Sequence, residues 1–235
     1  MRVEEFLAAV AAAPGSTVAP PPEGSAAQRG LEVPEPLRGL LSRANGVGVR
    51  DGHYRLLGLE GGDQPTLARW NHPDTWKHAW AGRADQFYCF GMSSLGDQFA
   101  LRLGAGGQVV DDGVWVLDGL ELQATRLAPT VAAFLEQLVG LAAGHGDDDL
   151  VELVEGARER LGAVAPDELL VVVPPVQLGV DGMLDRLQRM PAWMAMTING
   201  DAYGEAIRYQ GAQIVGVEPW TDRQGRPRLR FVPRQ

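Results

Sequence analysis

The stretch Phe87-Tyr-Cys-Phe-Gly-Met-Ser-Ser-Leu-Gly-Asp-Gln-Phe-Ala-Leu-Arg-Leu103 indicates the centre of the fold of this chain. Its two ends are apolar and aromatic, which is typical of strands, and residues 91–97 between them favour a turn. Beyond the turn, Phe99, Leu101 and Leu103 share one face, and the residues between them share the other. The stretch therefore predicts a central antiparallel hairpin with one buried face, on which N-terminal helices pack.

Elements on either side of this hairpin follow from apolar spacing and turn residues. Helices are predicted where apolar residues recur at helical spacing, at 3–13, 33–46, about 73–80 and 129–143. Short strands are predicted in apolar segments bounded by turn residues, at 47–59 and 108–118. Residues 14–30 are rich in proline, glycine, serine and alanine, which is typical of a linker or a surface loop.

Two of these elements carry residues with a possible functional role. A helix from about residue 73 would place Trp76 and Trp80 on one face, and Asn71 could cap it. Asp111-Asp112-Gly113 is predicted as a turn that divides 108–118 into two strands. Both elements would lie next to the central hairpin in the chain.

The second half of the chain is predicted to form a smaller α+β domain. The polar segment 144–149 is the candidate boundary, so the predicted domains are 1–145 and 150–235. Its aspartates favour the start of the next helix over calcium binding, because the alternating ligands of a calcium loop are absent. Helices are predicted at 150–161 and 180–190, and strands at 169–173 (a central strand), 193–198, 213–220 and 227–232.

Composition limits the possible functions. The single cysteine, Cys89, excludes an intrachain disulfide and a cysteine-based zinc site, and its apolar neighbours predict a buried structural thiol. No apolar run approaches the ~20 residues that span a bilayer. These two features predict a cytoplasmic protein without a membrane anchor.

The charge of the chain is acidic and uneven. Its net charge is −9, although the last 36 residues hold six arginines against four acidic residues. An acidic body disfavours direct nucleic-acid binding and is compatible with a basic protein partner. A role of the charge in solubility alone stays open.

The order of predicted helices, strands and short motifs in residues 1–143 resembles that of the SUKH superfamily of Smi/Knr-like and Syd-like proteins. The matching positions, in chain order, are Val33-Pro34-Glu35-Pro36-Leu37, Asn45-Gly46, Trp70, Phe90-Gly91, Gly96-Asp97-Gln98-Phe99-Ala100 and Phe134-Leu135. Residues 150–235 loosely resemble extra C-terminal modules of secretion-system immunity proteins, through Asn199-Gly200-Asp201 and the terminal hairpin.

The resemblance implies an α+β fold, with a mostly antiparallel sheet packed by helices. Many members of the superfamily are immunity proteins that neutralise polymorphic toxins, so it also implies stoichiometric binding of a cognate toxin, such as a nuclease, in the cytoplasm. It implies no catalysis, and the sequence predicts no cofactor and no metal site. The residues predicted to contact the partner in a groove are Trp70, Trp76, Trp80, Asp97, Asp111 and Asp112.

Simpler structural roles stay open for these residues. The three tryptophans could serve the core, since large aromatic side chains dominate core burial. Asp97 follows a glycine at the start of a strand, where a carboxylate commonly accepts hydrogen bonds from turn amides.

Two other functions remain as alternatives. One is a cytoplasmic adaptor that binds a cellular protein, and the other is a hydrolase using Ser94 and His78, although the Gly-x-Ser-x-Gly pattern is absent. The row Arg226, Arg228 and Arg230 could contact phosphates, protect an edge strand or pair with the acidic body.

Overall fold

A computed structural model of the chain describes residues 1–22, 33–61, 65–145, 149–179 and 182–234. The predicted hairpin lies in the middle of a seven-stranded antiparallel sheet whose strands follow one another in chain order. These strands are β1 (Thr17–Val18), β2 (Val47–Val49), β3 (Tyr54–Leu56), β4 (Phe87–Ser93), β5 (Gln98–Leu103), β6 (Val109–Leu117) and β7 (Ala124–Ala128). The α+β fold predicted from the sequence is confirmed.

Two small hairpins and seven helices complete the described part of the chain. The hairpins pair β8 (Glu168–Val172) with β9 (Leu187–Pro191), and β10 (Ile214–Thr221) with β11 (Pro227–Pro233). The helices are α1 (Val3–Ala12), α2 (Glu35–Leu41), α3 (Leu67–Asn71), α4 (Val131–Ala142), α5 (Asp149–Leu161), α6 (Met183–Arg186) and α7 (Ala192–Arg208). None of these helices has the length and apolar character needed to cross a bilayer.

The central hairpin is held in register between Phe87 opposite Arg102 and Met92 opposite Gln98. Gly91 sits at an irregularity in this pairing. A Cβ atom there would lie 2.7 Å from the carbonyl oxygen of Arg55 on β3. The close approach of β3 and β4 therefore requires glycine at this position.

Strand β5 is buried on both faces near its start, so the prediction of one solvent-facing side is wrong there. Phe99 packs on Phe134 of α4, with ring centroids 5.0 Å apart. On the other face Gln98 and Ala100 are also fully buried. The amide of Gln98 lies 3.6 Å from the sulfur of Met196, because α7 covers this face.

Several predicted elements differ from the structure. Segment 108–118 is one strand, β6, because the chain reverses at residues 104–107 and not at Asp111-Asp112-Gly113. Segment 193–198 lies within the 17-residue helix α7 and is not a strand. Its small residues bury a helical face, and a Cβ at Gly200 would lie 2.9 Å from Nε1 of Trp80.

The remaining differences concern short elements. In place of the predicted helix from about residue 73, residues 73–76 form a turn and residues 77–80 a 3-10 turn, and Asn71, its predicted cap, is the last residue of α3. Thr17–Val18 pairs with β2, so the predicted linker begins with a strand, while its residues 23–30 lie outside the described part. Predicted helix 180–190 divides into α6 and β9, and predicted strand β8 pairs with β9 alone in a two-stranded sheet.

Residues after 149 contribute directly to the main core. Leu169, Val171, Ala195 and Met196 belong to the same buried cluster as the central sheet. The guanidinium of Arg55 also donates to the carbonyl oxygens of residues 165, 166 and 168, at 3.1, 2.7 and 2.8 Å. Burial lowers the pKa of Arg55 to about 10, so the side chain stays charged at neutral pH. The division of the chain into domains 1–145 and 150–235 stays a prediction.

Candidate partner-binding surface

The three tryptophans of the predicted groove, Trp70, Trp76 and Trp80, are each at most 1 % exposed. Their indole N–H groups donate to Gln98 Oε1 at 2.7 Å, to the carbonyl of Trp70 at 2.9 Å and to the carbonyl of Met196 at 2.9 Å, respectively. In this structure they offer no surface to a partner. They join α3 and the 77–80 turn to the sheet and α7, which corrects their predicted placement in a groove.

Asp97 occupies the turn between β4 and β5. Its carboxylate accepts from the Ser93 hydroxyl at 2.8 Å and from the Gly119 N–H at 3.0 Å. Gly96, just before it, has a φ of 98°, a conformation that favours glycine. The Asp97 carboxylate thus links the β4–β5 turn to the segment after β6, and it is half-buried and lines a cavity.

This cavity, here called the apolar cavity, has a volume of about 160 Å³. It lies among residues 95–97, residues 118–120, α5, β8 and α6, and most of its lining is apolar. Leu150 and Met183 line it while remaining 45 % and 43 % exposed. The cavity therefore joins a surface on which large apolar side chains face solvent.

Few polar side chains line the apolar cavity, and those that do are fixed. Asp118 accepts from the backbone N–H groups of residues 120, 121 and 123 at 3.1, 2.7 and 2.8 Å. Asn199 of α7 donates to the carbonyl of Gly119 at 2.8 Å. Sequence reasoning misses this role of Asn199, because it predicts segment 193–198 as a strand that ends in a turn at that residue.

Asp111 and Asp112 lie on β6, away from the apolar cavity lining. Asp111 accepts from the Gly113 N–H at 2.7 Å and lies 3.8 Å from the Arg126 guanidinium. Both aspartates are exposed. The structure therefore does not bring the six predicted contact residues into one groove: Asp97 is in the cavity, two aspartates are elsewhere on the surface, and the tryptophans are in the core.

The C-terminal arginine row forms ion pairs within the chain. Arg226 pairs with Asp222 at 2.7 Å and with Asp74 at 3.0 Å. Arg228 pairs with Asp201 on α7. Arg230 pairs with Glu218 across the hairpin at 2.7 Å. Pairing with the N-terminal body, one of the open interpretations, thus occurs at Asp74.

Two carboxylates of α7 also bind the edge of β11. Asp201 accepts from the Leu229 N–H at 2.8 Å, and Glu205 accepts from the Phe231 N–H at 2.7 Å. These residues are four apart and so lie on one helix face. Sequence reasoning misses them, since it assigns Asp201 to a turn.

The nucleophile candidate Ser94 contacts a histidine that the sequence does not single out. Its hydroxyl lies 2.7 Å from Nδ1 of His53, and both residues are buried. The predicted partner, His78, lies on the 77–80 turn instead.

Burial raises the pKa of Cys89 to about 11, so this buried thiol stays protonated at neutral pH, as its apolar neighbours predict.

Comparison with known proteins gives a distant structural likeness. No family model matches the chain, and no curated protein matches it. The crystal structure of Atu4351 from Agrobacterium tumefaciens is similar with a TM-score of 0.41 and 14 % identity, over 75 % of this chain and 74 % of that chain. A likeness at this level carries no argument about function.

Proposed function

We propose that this protein is an immunity protein of the SUKH type, which binds a cognate bacterial toxin and neutralises it by stoichiometric contact. The proposal rests on the resemblance of residues 1–143 and on one structural observation. That observation is the apolar cavity, which opens beside the exposed side chains of Leu150 and Met183.

The cavity has the size and lining of an anchor site. Apolar side chains that project from a partner into such pockets carry most of the binding free energy of many protein interfaces. A cavity of about 150 Å³ accepts a benzene molecule. The apolar cavity, at about 160 Å³, therefore has room for one aliphatic or aromatic side chain of the toxin.

The charge around the cavity favours a basic partner. Asp97 and Asp118 line it. The whole chain carries a net charge of −9. A toxin that acts on nucleic acid has a basic surface, and complementary charge would raise the rate at which the two proteins associate.

The test is protection of cells by co-expression with the toxin encoded beside this gene, together with co-purification of the two proteins. Met183→Lys places a charge at the mouth of the cavity on an exposed position, so the fold is expected to persist. We expect this variant to weaken toxin binding about 100-fold or more, since a buried unpaired charge costs several kcal/mol.

Val215→Lys is the matched control, because Val215 is 59 % exposed and does not line the cavity. It should protect cells as the parent does. Equal protection by the Met183→Lys variant would remove the cavity from the proposal. Failure of the parent chain to bind the neighbouring toxin would overturn the immunity function, and binding of a cellular protein at the cavity would favour the adaptor.

A further inference from the structure

A second surface feature lies beside α7, where the helix carries the C-terminal hairpin. It is a groove of about 420 Å³ between α7, β11 and the 77–80 turn, here called the α7 groove. Gly204 of α7 lines it, and a Cβ added at this glycine would meet no atom within 4 Å. The helix surface is therefore open at this point.

The two carboxylates in the α7 groove are already occupied. Both oxygens of Asp201 accept from the Arg228 guanidinium, at 2.9 Å each from Nε. Glu205 accepts from the Phe231 N–H with one oxygen and lies 3.4 Å from Arg208 with the other. These acids hold β11 on α7, so their capacity to bind a cationic ligand is small.

The groove side chains that can still form hydrogen bonds with a ligand are positively charged arginines. The side chains of Arg208 and Arg230 are 68 % and 58 % exposed. Within the described part of the chain, Arg208 makes one long hydrogen bond, and Arg230 donates from Nε and Nη2 to one oxygen of Glu218. The other N–H groups of both exposed guanidiniums can therefore bind a ligand. Guanidinium groups at such positions bind phosphate and carboxylate oxygens.

Aromatic surface and an imidazole complete the lining. Trp220 is 41 % exposed, and Arg228 lies 5.7 Å from its ring centroid. The buried ring nitrogens of His78 have no hydrogen-bond partner in the described part of the chain. Such unpartnered buried nitrogens are rare in a folded protein, and the His78 side chain is among those that line the groove.

We propose that the α7 groove binds a flat aromatic ring that carries an anionic group, with the chemistry of a nucleoside monophosphate. The ring stacks on Trp220, because aromatic side chains form favourable stacking contacts with bases. The anionic group lies between Arg208 and Arg230. This site is separate from the apolar cavity and does not depend on the proposed immunity function.

The test is calorimetric titration of the full chain with adenosine 5′-monophosphate, adenosine and inorganic phosphate. We expect saturable 1:1 binding of the monophosphate, about tenfold or more tighter than that of either part alone. Gly204→Leu fills the groove from an open helix position, and leucine is a better helix former than glycine. This variant is expected to fold normally and to lose binding about tenfold or more.

Gly140→Leu is the matched control, because Gly140 lies in α4 and also has no atom within 4 Å of an added Cβ. It should bind as the parent does, and Arg230→Gln should weaken the monophosphate more than adenosine. A 5′-phosphorylated RNA dinucleotide, titrated in parallel, distinguishes a nucleic-acid end from a free nucleotide as the source. Absence of saturable binding at millimolar monophosphate, or equal binding by the Gly204→Leu variant, would overturn the proposal.

Discussion

The two faces of the central sheet are covered by different kinds of side-chain contact. On one face α4 packs aromatic and aliphatic side chains against the strands, as in the contacts of Phe134 with Phe90 and Phe99, at 5.7 and 5.0 Å between ring centroids. On the other face α7 and the 77–80 turn meet the sheet through small residues and buried hydrogen bonds. Gln98 joins Trp70 on this side, and Trp80 joins the backbone of α7.

This contrast shows which parts of a core a hydrophobic pattern reveals. The α4 face depends on apolar residues at regular spacing, which contribute stability in proportion to the area they bury. The α7 face depends on polar groups that must all find partners, since a buried polar group without one costs about 1–3 kcal/mol. Substitutions on the two faces should therefore differ in size and in cause.

The strongest destabilisation is expected on the α4 face. Phe134→Ala removes a side chain that is 1 % exposed and contacts two phenylalanines. It should lower the free energy of unfolding by about 3–5 kcal/mol, because a cavity remains where the ring was. Urea unfolding followed by fluorescence and circular dichroism measures this. A loss below about 1 kcal/mol would show that α4 is not the main apolar cover of the sheet.

A weaker destabilisation is expected on the α7 face from Gln98→Leu. Leucine preserves much of the volume but removes the acceptor of the Trp70 indole N–H and the donor to the Gly96 carbonyl. The free energy of unfolding should fall by about 1–3 kcal/mol. Gln86→Leu, at an exposed position, is the control and should change it by about 0.5 kcal/mol or less. Equal effects of the two substitutions would contradict a polar role of this face.

The smallest of the three expected effects on stability concerns the C-terminal hairpin, β10 and β11, which packs on α7. Burial would raise the pKa of Asp222, but hydrogen bonds from the N–H groups of Arg226 and Gln224 and from the Arg226 guanidinium outweigh burial and lower that pKa to about 2. The lowered pKa means that Asp222 stabilises the fold above its unfolded-state pKa near 3.8 and that this contribution disappears as pH falls towards 2.

Thermal unfolding of the parent and of Asp222→Asn between about pH 5 and pH 2 tests this pH dependence. The parent should be the more stable at the upper end of this range, and the difference should shrink as pH falls through it. A difference that is constant with pH would show that Asp222 acts through its shape and not through its charge.

The central sheet is easier to predict from the sequence than its surroundings, for physical reasons that particular residues show. The predictions of the hairpin 87–103 and of the helix 129–143 are correct because the apolar spacing and turn glycines of these segments coincide with their burial. The prediction of a strand within α7 is wrong, because the packing face of this helix uses small and polar residues such as Ala195, Asn199 and Gly200, which carry little apolar periodicity.

The candidate site is predicted less completely than the fold. The position of Asp97 after Gly96 identifies it as a candidate, and the structure places it at the apolar cavity. The other parts of that cavity come from α5, β8 and α6, which are distant in the chain and meet only through tertiary packing. A single sequence contains no signal for such a meeting. The burial of Trp70, Trp76 and Trp80 agrees instead with the core role that large aromatic side chains commonly have.

The proposed toxin binding at the apolar cavity can be tested by hydrogen exchange, measured on the protein alone and in the presence of a candidate toxin encoded by a neighbouring gene. Binding at the cavity predicts slower exchange in the complex at residues 95–97 and 118–120 and along α6, with β7 and the first half of β6 little changed. Unchanged exchange at the cavity, with protection confined to other surfaces, would contradict binding there.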